Sequence, residues 1–335
     1  MKKTLSIIIP SYNTSKFIRG TIDSIVDESI LDEIEILIVN DGSTDSTKEI
    51  AEGIAQTYPQ SIRTISKENG GHGSTINVGI KEATGKYLKV LDGDDSFDKK
   101  ELIRFVEQLK EIDVDVIISL YKRVSQRTKE ETIVKPDQNK IVRQKFKHEY
   151  NRIYNVEDIL GEVYGTIHAL TYRTELLKQN YEQIKVSEKV FYEDNEYDLY
   201  PFAFAKTIFI SDCNVYRYLV DQTDQSTSHE NRQKRIGNNL VVVENMMKHY
   251  NDLFSETNHE IKDYAKRSIA RQIFAIFEIY LSSDQTTKDK RKELKKFDLT
   301  IKNKSQEVFN TANRYFVVLL LRITSYWGVF AIRRA

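Results

Sequence analysis

The segment Leu88-Lys89-Val90-Leu91-Asp92-Gly93-Asp94-Asp95 joins an apolar strand directly to three carboxylates. Crowded carboxylates repel one another and lose solvation on folding unless a positive charge lies among them. A hard divalent cation such as Mg²⁺ or Mn²⁺ suits oxygen ligands of this kind and keeps coordination positions open for a bound diphosphate. A polar turn in which Asp95 or Ser96 caps the next helix is the alternative interpretation, and the rest of the N-terminal half favours the cation.

The first hundred residues alternate short apolar strands with helices. Strands are predicted at residues 5–9, where Pro10 ends the first strand, and at 34–39, 61–66 and 87–91, with helices at 15–29, at 46–58 and up to about residue 83 between them. This alternation implies right-handed crossover connections and a parallel sheet. The predicted fold class is therefore α/β, with a mostly parallel central sheet, helices on both of its faces and a helical C-terminal appendage.

Polar clusters follow each of these strands, at residues 10–13, 40–45, 67–77 and 92–95. Ligands of parallel α/β sheets bind beyond the carboxyl ends of the strands, so we expect the four clusters to converge at one edge. The chain contains no phosphate loop of the Walker type, and no Gly-x-Gly-x-x-Gly follows the first strand. These absences argue against P-loop nucleotide hydrolysis and against dinucleotide redox chemistry.

Several of these clusters resemble the signatures of family 2 glycosyltransferases. The matching segments read SIIIPSYN at residues 6–13, VNDGSTD at 39–45, NGGHG at 69–73 followed by Asn77, LDGDD at 91–95 and FYEDNEY at 191–197. The resemblance covers roughly residues 1–230 and implies an inverting enzyme with the Rossmann-like, A-type nucleotide-sugar transferase fold. Sugar-1-phosphate nucleotidyltransferases have a similar fold, but they would carry a Gly-rich, Arg-containing loop where this chain reads SYNTSK at residues 11–16.

The resemblance implies a nucleotide pocket at the strand ends. Tyr12 would lie near the base or ribose, and Asp41 would accept hydrogen bonds from uracil, which favours a UDP-sugar as the donor. The remaining residues predicted to bind the nucleotide are Pro10, Asn13, Lys67, Asn69, Gly73, Asp92 and Gly93. Lys67 would add positive charge, and Gly70, Gly71 and Gly73 would let the backbone approach the ligand. An ordinary turn before a helix is the alternative for these glycines.

The resemblance also implies the groups that carry the chemistry. Asp94, together with Asp92, would coordinate a Mn²⁺ or Mg²⁺ ion that neutralises charge on the departing diphosphate. Asp194 would be the catalytic base that takes the proton of the acceptor hydroxyl. Glu193 would orient the acceptor or its loop. The alternative is an acidic helix N-terminus, where the helix dipole favours Glu193 and Asp194.

Further residues are candidates for the acceptor side and for a closing loop. His168 could contact the acceptor, although a packed histidine explains it equally well. The segments 215–218 and 221–229 resemble the Tyr-rich strand and Ser-rich loop of relatives. Candidates to touch the diphosphate there are Arg217, Ser226, Ser228 and His229. The chain lacks the Gln/Arg-x-x-Arg-Trp motif of processive polymerases, which favours the addition of a single sugar.

Composition favours a catalytic domain at residues 1–230 and a helical domain at residues 231–335. Cys213 is the single cysteine and cannot form an intramolecular disulfide, which favours a reducing cytoplasm. Residues 286–335 carry twelve Lys or Arg and four Asp or Glu. Because the chain is neutral overall, residues 1–285 are net negative, and a nucleic-acid role is not expected of them.

Residues 309–335 contain an apolar stripe at helical spacing. Its members are Phe309, Ala312, Phe316, Leu320, Ile323, Trp327 and Phe330, with Arg314, Arg322, Arg333 and Arg334 around them. The uninterrupted apolar run at residues 315–321 is too short to span a bilayer. The stripe could lie on an anionic membrane surface, pack on the protein itself or form a dimer contact.

Together these features predict a metal-dependent hexosyl- or N-acetylhexosaminyltransferase that uses a UDP-sugar donor. The predicted acceptor is a hydroxyl of a lipid-linked or protein-linked glycan in surface polysaccharide or glycoprotein synthesis. The predicted location is the cytoplasm, with contact to the inner face of the plasma membrane. A catalytically silent protein that binds nucleotide sugars or glycans is the alternative from another functional class, against which the presence of Asp92, Asp94 and Asp194 argues.

Overall fold

The computed structural model describes residues 3–139, 141–221, 229–282 and 288–326. The chain divides into two compact units, Met1–Gln222 and Thr223–Ala335. The sequence places this boundary slightly later, after residue 230.

The first unit is built on a ten-stranded mixed sheet. Its strands are β1 (Leu5–Ser11), β2 (Ile34–Asn40), β3 (Ile62–Ser66), β4 (Tyr87–Val90), β5 (Ser96–Phe97), β6 (Val116–Ser125), β7 (Glu131–Val134), β8 (Arg152–Asn155), β9 (Leu170–Arg173) and β10 (Thr207–Val220). They lie in the order β3-β2-β1-β4-β9-β6-β10-β5, with β7 beside β6 and β8 beside β10. Strands β1, β2, β3, β4, β6 and β10 run in one direction, which confirms a mostly parallel sheet.

Helices connect these strands. The helices of the first unit are α1 (Ile18–Asp23), α2 (Thr47–Thr57), α3 (His72–Glu82), α4 (Lys99–Glu111), α5 (Val156–Ile159), α6 (Thr174–Gln179), α7 (Tyr181–Ile184) and α8 (Asp194–Tyr197), followed by a 3₁₀ helix at Tyr200–Ala203. Helix α1 is shorter than the predicted helix at 15–29, because the chain continues in turns after Asp23. Its apolar residues Ile18 and Ile22 are nevertheless buried, as expected.

Both faces of β1 are covered, which explains its uninterrupted apolar sequence. Ile7 and Ile9 belong to the hydrophobic core that includes Phe105 of α4. Ile8 points to the opposite face, where a Cβ atom on Gly79 of α3 would lie 2.4 Å from its Cδ1 atom. A strand buried on both faces reads as a continuous apolar run instead of an alternating one.

Pro10 does not end β1, contrary to the prediction. The pairing of β1 with β4 stops at Ile8, whereas its pairing with β2 continues to Ser11. The carbonyl oxygen of Ser11 accepts a hydrogen bond from the Asp41 backbone N–H on the β2 side. Since successive residues of a strand bond to opposite neighbours, Pro10 faces the side where β4 has already ended, and its missing N–H removes no ladder bond.

The second unit is helical in the residues that the structure describes. Its helices are α9 (His229–Lys234), α10 (Ile236–Leu253), α11 (His259–Ser282), α12 (Lys288–Lys304), α13 (Gln306–Ala312) and α14 (Phe316–Ile323). Within the described ranges, no helix has the length and apolar character needed to cross a membrane.

The prediction of one apolar stripe bordered by Arg322 is wrong. The guanidinium of Arg322 donates hydrogen bonds of 2.8 and 2.6 Å to the buried Asp298 carboxylate and lies 3.5 Å from the centroid of the Phe309 ring. Ala312 is buried as well, whereas Phe316 is exposed. The stripe therefore divides into a packed half and an exposed half, because residues 313–315 interrupt the helix. Trp327, Phe330, Arg333 and Arg334 lie outside the described residues.

Candidate active site

The four polar clusters meet at one edge of the sheet, beginning with the ends of β1 and β2. The backbone N–H of Asn13 donates a hydrogen bond of 3.0 Å to Ser43 Oγ. In return, Asn13 Oδ1 accepts one of 2.9 Å from the Thr44 N–H. Asn13 adopts a positive φ of 54°, a conformation that asparagine tolerates better than most residues. These bonds fix the loop that also presents Tyr12, whose side chain is 51% exposed.

Asp41 links the end of β2 to the loop that follows β3. Its carboxylate is nearly fully buried, and Oδ1 accepts hydrogen bonds from Lys67 Nζ at 2.8 Å and the Gly70 N–H at 2.9 Å. Oδ2 accepts one from the Gly71 N–H at 2.8 Å, and Asn69 Nδ2 donates to the Asp41 carbonyl oxygen. Lys67 therefore forms an internal ion pair and does not offer the free positive charge that the sequence suggests. The uracil contact of Asp41 stays a prediction.

Two glycines of this loop make room for another segment of the protein. A Cβ atom on Gly73 would lie 2.1 Å from the Ser187 carbonyl oxygen and 2.8 Å from Glu193 Cγ. Gly71 has a φ of +84°, and a Cβ there would meet the backbone of Lys189 at 3.1 Å. Segment 186–193 occupies the space beside these two glycines, and the approach of this loop to a ligand stays a prediction.

His72 joins the two acidic motifs, a role that the sequence does not predict. Its Nε2 atom lies 2.9 Å from Asp92 Oδ1, and its Nδ1 atom lies 2.7 Å from Glu193 Oε1. Burial alone would lower the pKa of His72, but the hydrogen bonds and charges of Asp92 and Glu193 outweigh it and hold the pKa well above its usual value. An imidazolium ion at this place relieves the repulsion between the two carboxylates.

The carboxylate turn after β4 is fixed from two sides. Thr21 Oγ1 donates to the carbonyl oxygens of Gly93 and Asp95 at 3.0 and 2.9 Å. Tyr216 of β10 donates its hydroxyl proton to Asp95 Oδ2 at 2.8 Å, and the Leu219 N–H donates to Asp95 Oδ1 at 2.7 Å. Burial, followed by the charges of neighbouring aspartates, raises the pKa of Asp95 well above its usual value. Asp95 is therefore held in a position where a nearby positive charge would stabilise its ionised carboxylate.

Among the described residues, Asp92, Asp95 and His168 have ligand atoms close enough to share a metal ion, all within 4.8 Å of one another. Burial lowers the pKa of His168 to about 4, so its imidazole is neutral and has a lone pair to offer. Its Nδ1 atom lies 3.2 Å from Thr166 Oγ1, a contact that orients the ring. The two carboxylates suit Mn²⁺ or Mg²⁺, whereas an imidazole ligand is more typical of transition metals such as Zn²⁺. The predicted ligand Asp92 is in this group, whereas Asp94 is exposed in the same turn and outside it.

Lys89 is a second residue whose role the sequence does not predict. It is fully buried in β4, and Nζ donates to the carbonyl oxygens of His168 and Leu170 at 2.9 and 3.1 Å. Burial lowers the pKa of this amine to about 7. By holding these two carbonyl groups, Lys89 fixes the backbone that carries His168 beside Asp92.

Asp194 is the first residue of α8 and directly follows Glu193. Burial raises the pKa of Asp194 to about 7, and the charge of Glu193 contributes in the same direction. Asn195 Nδ2 donates a hydrogen bond of 3.2 Å to Asp194 Oδ1. A carboxylate with a pKa near neutrality can both accept and release a proton, which is the property that a general base requires.

The remaining residues predicted to contact the nucleotide or the diphosphate are Gly93, Arg217, Ser226, Ser228 and His229. Gly93 packs against the backbone of Pro10, because a Cβ atom on residue 93 would lie only 2.8 Å from the Pro10 carbonyl oxygen. Arg217 forms an ion pair with Glu131 at 2.5 Å, so its predicted contact with a diphosphate would compete with this pair. Ser226 and Ser228 lie outside the described residues, and His229 begins α9 in the second unit.

A family model described as "Glycosyl transferase family 2" matches residues 6–179, just over half of the chain. The "Uncharacterized glycosyltransferase EpsJ" of Bacillus subtilis is 40% identical over 124 residues, which are 37% of this chain and 36% of EpsJ. The "Minor teichoic acid biosynthesis protein GgaB" of the same species is 36% identical over 117 residues, 33% of this chain and 13% of GgaB. The matches thus span about a third of the first relative and less of the second.

Among solved structures, residues 1–349 of TarS from S. aureus have a similar fold. The TM-score is 0.57 at 19% sequence identity, and the match covers 97% of this chain and 93% of that chain. The same TarS segment in complex with UDP-GlcNAc gives a TM-score of 0.53. At this identity the likeness concerns the fold, which matches the sheet and helices described above.

His72 and His168 lie in opposite environments, which predicts different protonation states for the two imidazoles. In metal-free protein at pH 7, His72 should be charged because two carboxylates hold its proton, whereas buried His168 should be neutral. Titration of the imidazole resonances by NMR, with EDTA present, measures both pKa values. Asp92→Asn should lower the pKa of His72, since it removes one of the two carboxylate charges.

The chain contains six histidines, so the two resonances can be assigned with single His→Gln variants. Glu193→Gln serves as the second arm of the test, because it removes the other carboxylate. If His72 and His168 titrate at the same pH, or if neither carboxylate variant moves the pKa of His72, the bridge described here is wrong.

Proposed function

The chain belongs to glycosyl transferase family 2, and from this premise we propose that it transfers a sugar from a UDP-sugar to a hydroxyl group of a glycan acceptor, with inversion at the anomeric carbon. The observation that carries the proposal is the joining of two acidic motifs through His72, which holds the Asp92 turn and the segment bearing Asp194 together. The UDP-GlcNAc complex of TarS supports a UDP-sugar donor, and the name of GgaB supports a surface glycan as product.

On the donor side, the nucleotide would lie along the ends of β1 and β2. Pro10, Tyr12 and Asn13 form one wall, of which Tyr12 is the exposed aromatic surface. Asp41 and the loop it holds would form the other wall. Loops held in this way by internal hydrogen bonds need no rearrangement when the nucleotide binds, which favours affinity.

A divalent cation, Mn²⁺ or Mg²⁺, would supply positive charge to the departing diphosphate when bound. Asp92, Asp95 and His168 are the residues proposed to hold it, with the exposed Asp94 of the same turn as a further candidate. Behind these residues, Lys89 and Thr166 keep His168 in place.

On the acceptor side, Asp194 would take the proton of the attacking hydroxyl while the bond from the anomeric carbon to the diphosphate breaks. The pKa of about 7 means that the carboxylate is available as a base near neutral pH. Glu193 does not reach the reacting atoms in this account. It contacts His72 and so positions the backbone of Asp194 relative to Asp92.

Asp194→Asn should lower transfer by about 10²–10⁴-fold, the usual contribution of a general base. Asparagine keeps the size of the side chain but cannot accept the proton. UDP affinity, measured by calorimetry, should stay unchanged in the same variant. In the unmodified protein, transfer should rise with pH through about 7, because only the deprotonated carboxyl acts as a base.

Asp198 provides the matched control for this substitution, since it lies one turn later and is buried. Asp198→Asn should retain the pH profile of the unmodified protein even if its stability falls. Undiminished transfer by Asp194→Asn would place the base elsewhere.

The metal assignment is tested by Mn²⁺ titration in the presence of UDP. Asp92→Asn and Asp95→Asn should each weaken Mn²⁺ binding by at least about tenfold. Substitution of residues that only hydrogen-bond to a metal ligand already lowers metal affinity by about 10–100-fold, and loss of a ligand should cost no less. Asp23→Asn, an exposed substitution on α1, is the control. If Asp95→Asn binds Mn²⁺ normally and Asp94→Asn does not, the ligands are Asp92 and Asp94, as the sequence predicts.

We also propose that the exposed side of α14 binds the inner face of the plasma membrane. Phe316 and Ile323 are 73% and 72% exposed, and Leu319 lies between them on the same side of the helix. Nearby Arg314 is exposed, and the second unit carries twenty Lys or Arg against thirteen Asp or Glu. Apolar side chains on a basic unit favour the surface of an anionic bilayer.

The double variant Phe316→Ser/Ile323→Ser should lower binding to vesicles that contain phosphatidylglycerol by at least about tenfold, since each apolar side chain contributes roughly 1.5–3 kcal/mol when buried. Co-sedimentation measures the bound fraction. Leu299→Ser removes a similarly apolar, exposed side chain from a different helix, α12, and should have little effect. If the unmodified protein does not bind anionic vesicles, the membrane proposal fails.

A further inference from the structure

A cavity of about 190 Å³ lies in the first unit, between the β6–β7 hairpin and the segment at residues 164–169. Two tyrosines, Tyr121 and Tyr164, form part of its wall, and Asn139 and Thr166 add polar groups. Aromatic rings with neighbouring hydrogen-bonding groups suit a sugar ring, which has apolar faces and a polar rim. None of the residues proposed to hold the nucleotide or the cation lines this cavity.

The cavity also presents two positive charges, from Arg123 and Lys135. Within the described ranges, neither side chain lies within ion-pair distance of a carboxylate. The neighbouring cation of β6 behaves differently, because Lys122 forms ion pairs with Asp98 and Glu131 at 3.0 and 3.4 Å. The first unit as a whole is acidic, with thirty Lys or Arg against thirty-seven Asp or Glu. Arg123 and Lys135 are both exposed, and two cations without a carboxylate partner at one cavity of an acidic unit favour the binding of an anion there.

This cavity adjoins the group proposed to hold the cation. The ring of Tyr121 stacks on that of His168 with centroids 5.3 Å apart, and Thr166 Oγ1 lies 3.2 Å from His168 Nδ1. His168 in turn lies within 4.8 Å of the carboxylates of Asp92 and Asp95. The side chain of His168 therefore lies between the cavity wall and the carboxylate turn.

The same short segment reaches the helix that begins with Asp194. The backbone N–H of Ile167 hydrogen-bonds the Asp198 carboxylate, and the Asp198 N–H donates to the Asp194 carbonyl oxygen at 2.8 Å. The Tyr164 N–H donates to the Pro136 carbonyl oxygen at 2.9 Å, which ties the segment to the loop carrying Lys135. The segment that lines the cavity is therefore bonded both to the helix that begins with the proposed base and to the loop that carries Lys135.

We propose that this cavity binds an anionic group, phosphate or carboxylate, on the acceptor glycan, with Arg123 and Lys135 as the residues that recognise it. The inference rests on the proposed function, because it names the substrate class of the same site. The planar guanidinium of Arg123 can donate two parallel hydrogen bonds to either anion, and Lys135 adds a second charge. The selection of an anionic acceptor follows from these two side chains.

The test measures the binding of three probes to the full chain in the presence of UDP and Mn²⁺. The probes are a glycerol phosphate oligomer, an oligogalacturonate and maltotriose, which carry phosphate, carboxylate and no charge, respectively. One of the two anionic probes should bind at least tenfold more tightly than maltotriose, and which one it is identifies the anion. Arg123→Gln/Lys135→Gln should abolish that preference, while UDP affinity reports the integrity of the variant.

Arg127→Gln is the matched control, because Arg127 is an exposed arginine just beyond β6 and does not line the cavity. Equal binding of charged and neutral probes, or an undiminished preference in the double variant, would overturn the inference. So would an equal loss in Arg127→Gln, which would indicate unspecific charge attraction. Hydrolysis of UDP-sugars without any acceptor is measured separately, so failure of the proposed function and failure of this inference give different results.

Discussion

The imidazole of His72, held between Asp92 and Glu193, is the contact on which the arrangement of the site depends. The distances of 2.9 and 2.7 Å leave room for a proton on each ring nitrogen. Two carboxylates from segments far apart in the chain would repel each other in a partly buried site, and the shared positive charge offsets that repulsion. The carboxylate turn after β4 and the segment before α8 therefore hold a fixed separation before any ligand binds, which lowers the cost of ordering the site on binding.

Helix α3 provides the mechanical basis of this contact. Asn77 accepts a hydrogen bond from the Val186 N–H at 3.0 Å and donates one to the Val186 carbonyl oxygen at 2.9 Å. Gly73, one turn earlier, lets Ser187 approach the helix. The segment that carries the proposed base thus rests on a helix of the nucleotide-binding half. A side chain at position 73 would displace the segment 187–193 and with it Asp194, although the two residues are distant in sequence.

The sequence predicts the N-terminal half of the fold well, because local patterns determine it. Apolar runs of strand length separated by amphipathic helices mark β1, β2 and β4, and the polar residues that follow each strand meet as expected. The roles of Lys89, Asp95 and Tyr216 could not be predicted, since they depend on β9 and β10 pairing beside β4 and β6. These strands lie far along the chain, and their register has no local signal. A histidine within a glycine-rich loop, together with a lysine inside an apolar strand, was the signal available in the sequence.

The proposed activity, metal-dependent transfer from a UDP-sugar, can be tested by measuring UDP release from a panel of UDP-sugars. With Mn²⁺ or Mg²⁺ present, one UDP-sugar should be hydrolysed slowly even without an acceptor, and EDTA should stop the reaction. Hydrolysis that continues in EDTA would contradict the role assigned to the cation. Absence of both hydrolysis and calorimetrically detectable UDP binding, with the metal present, would contradict the claim as a whole.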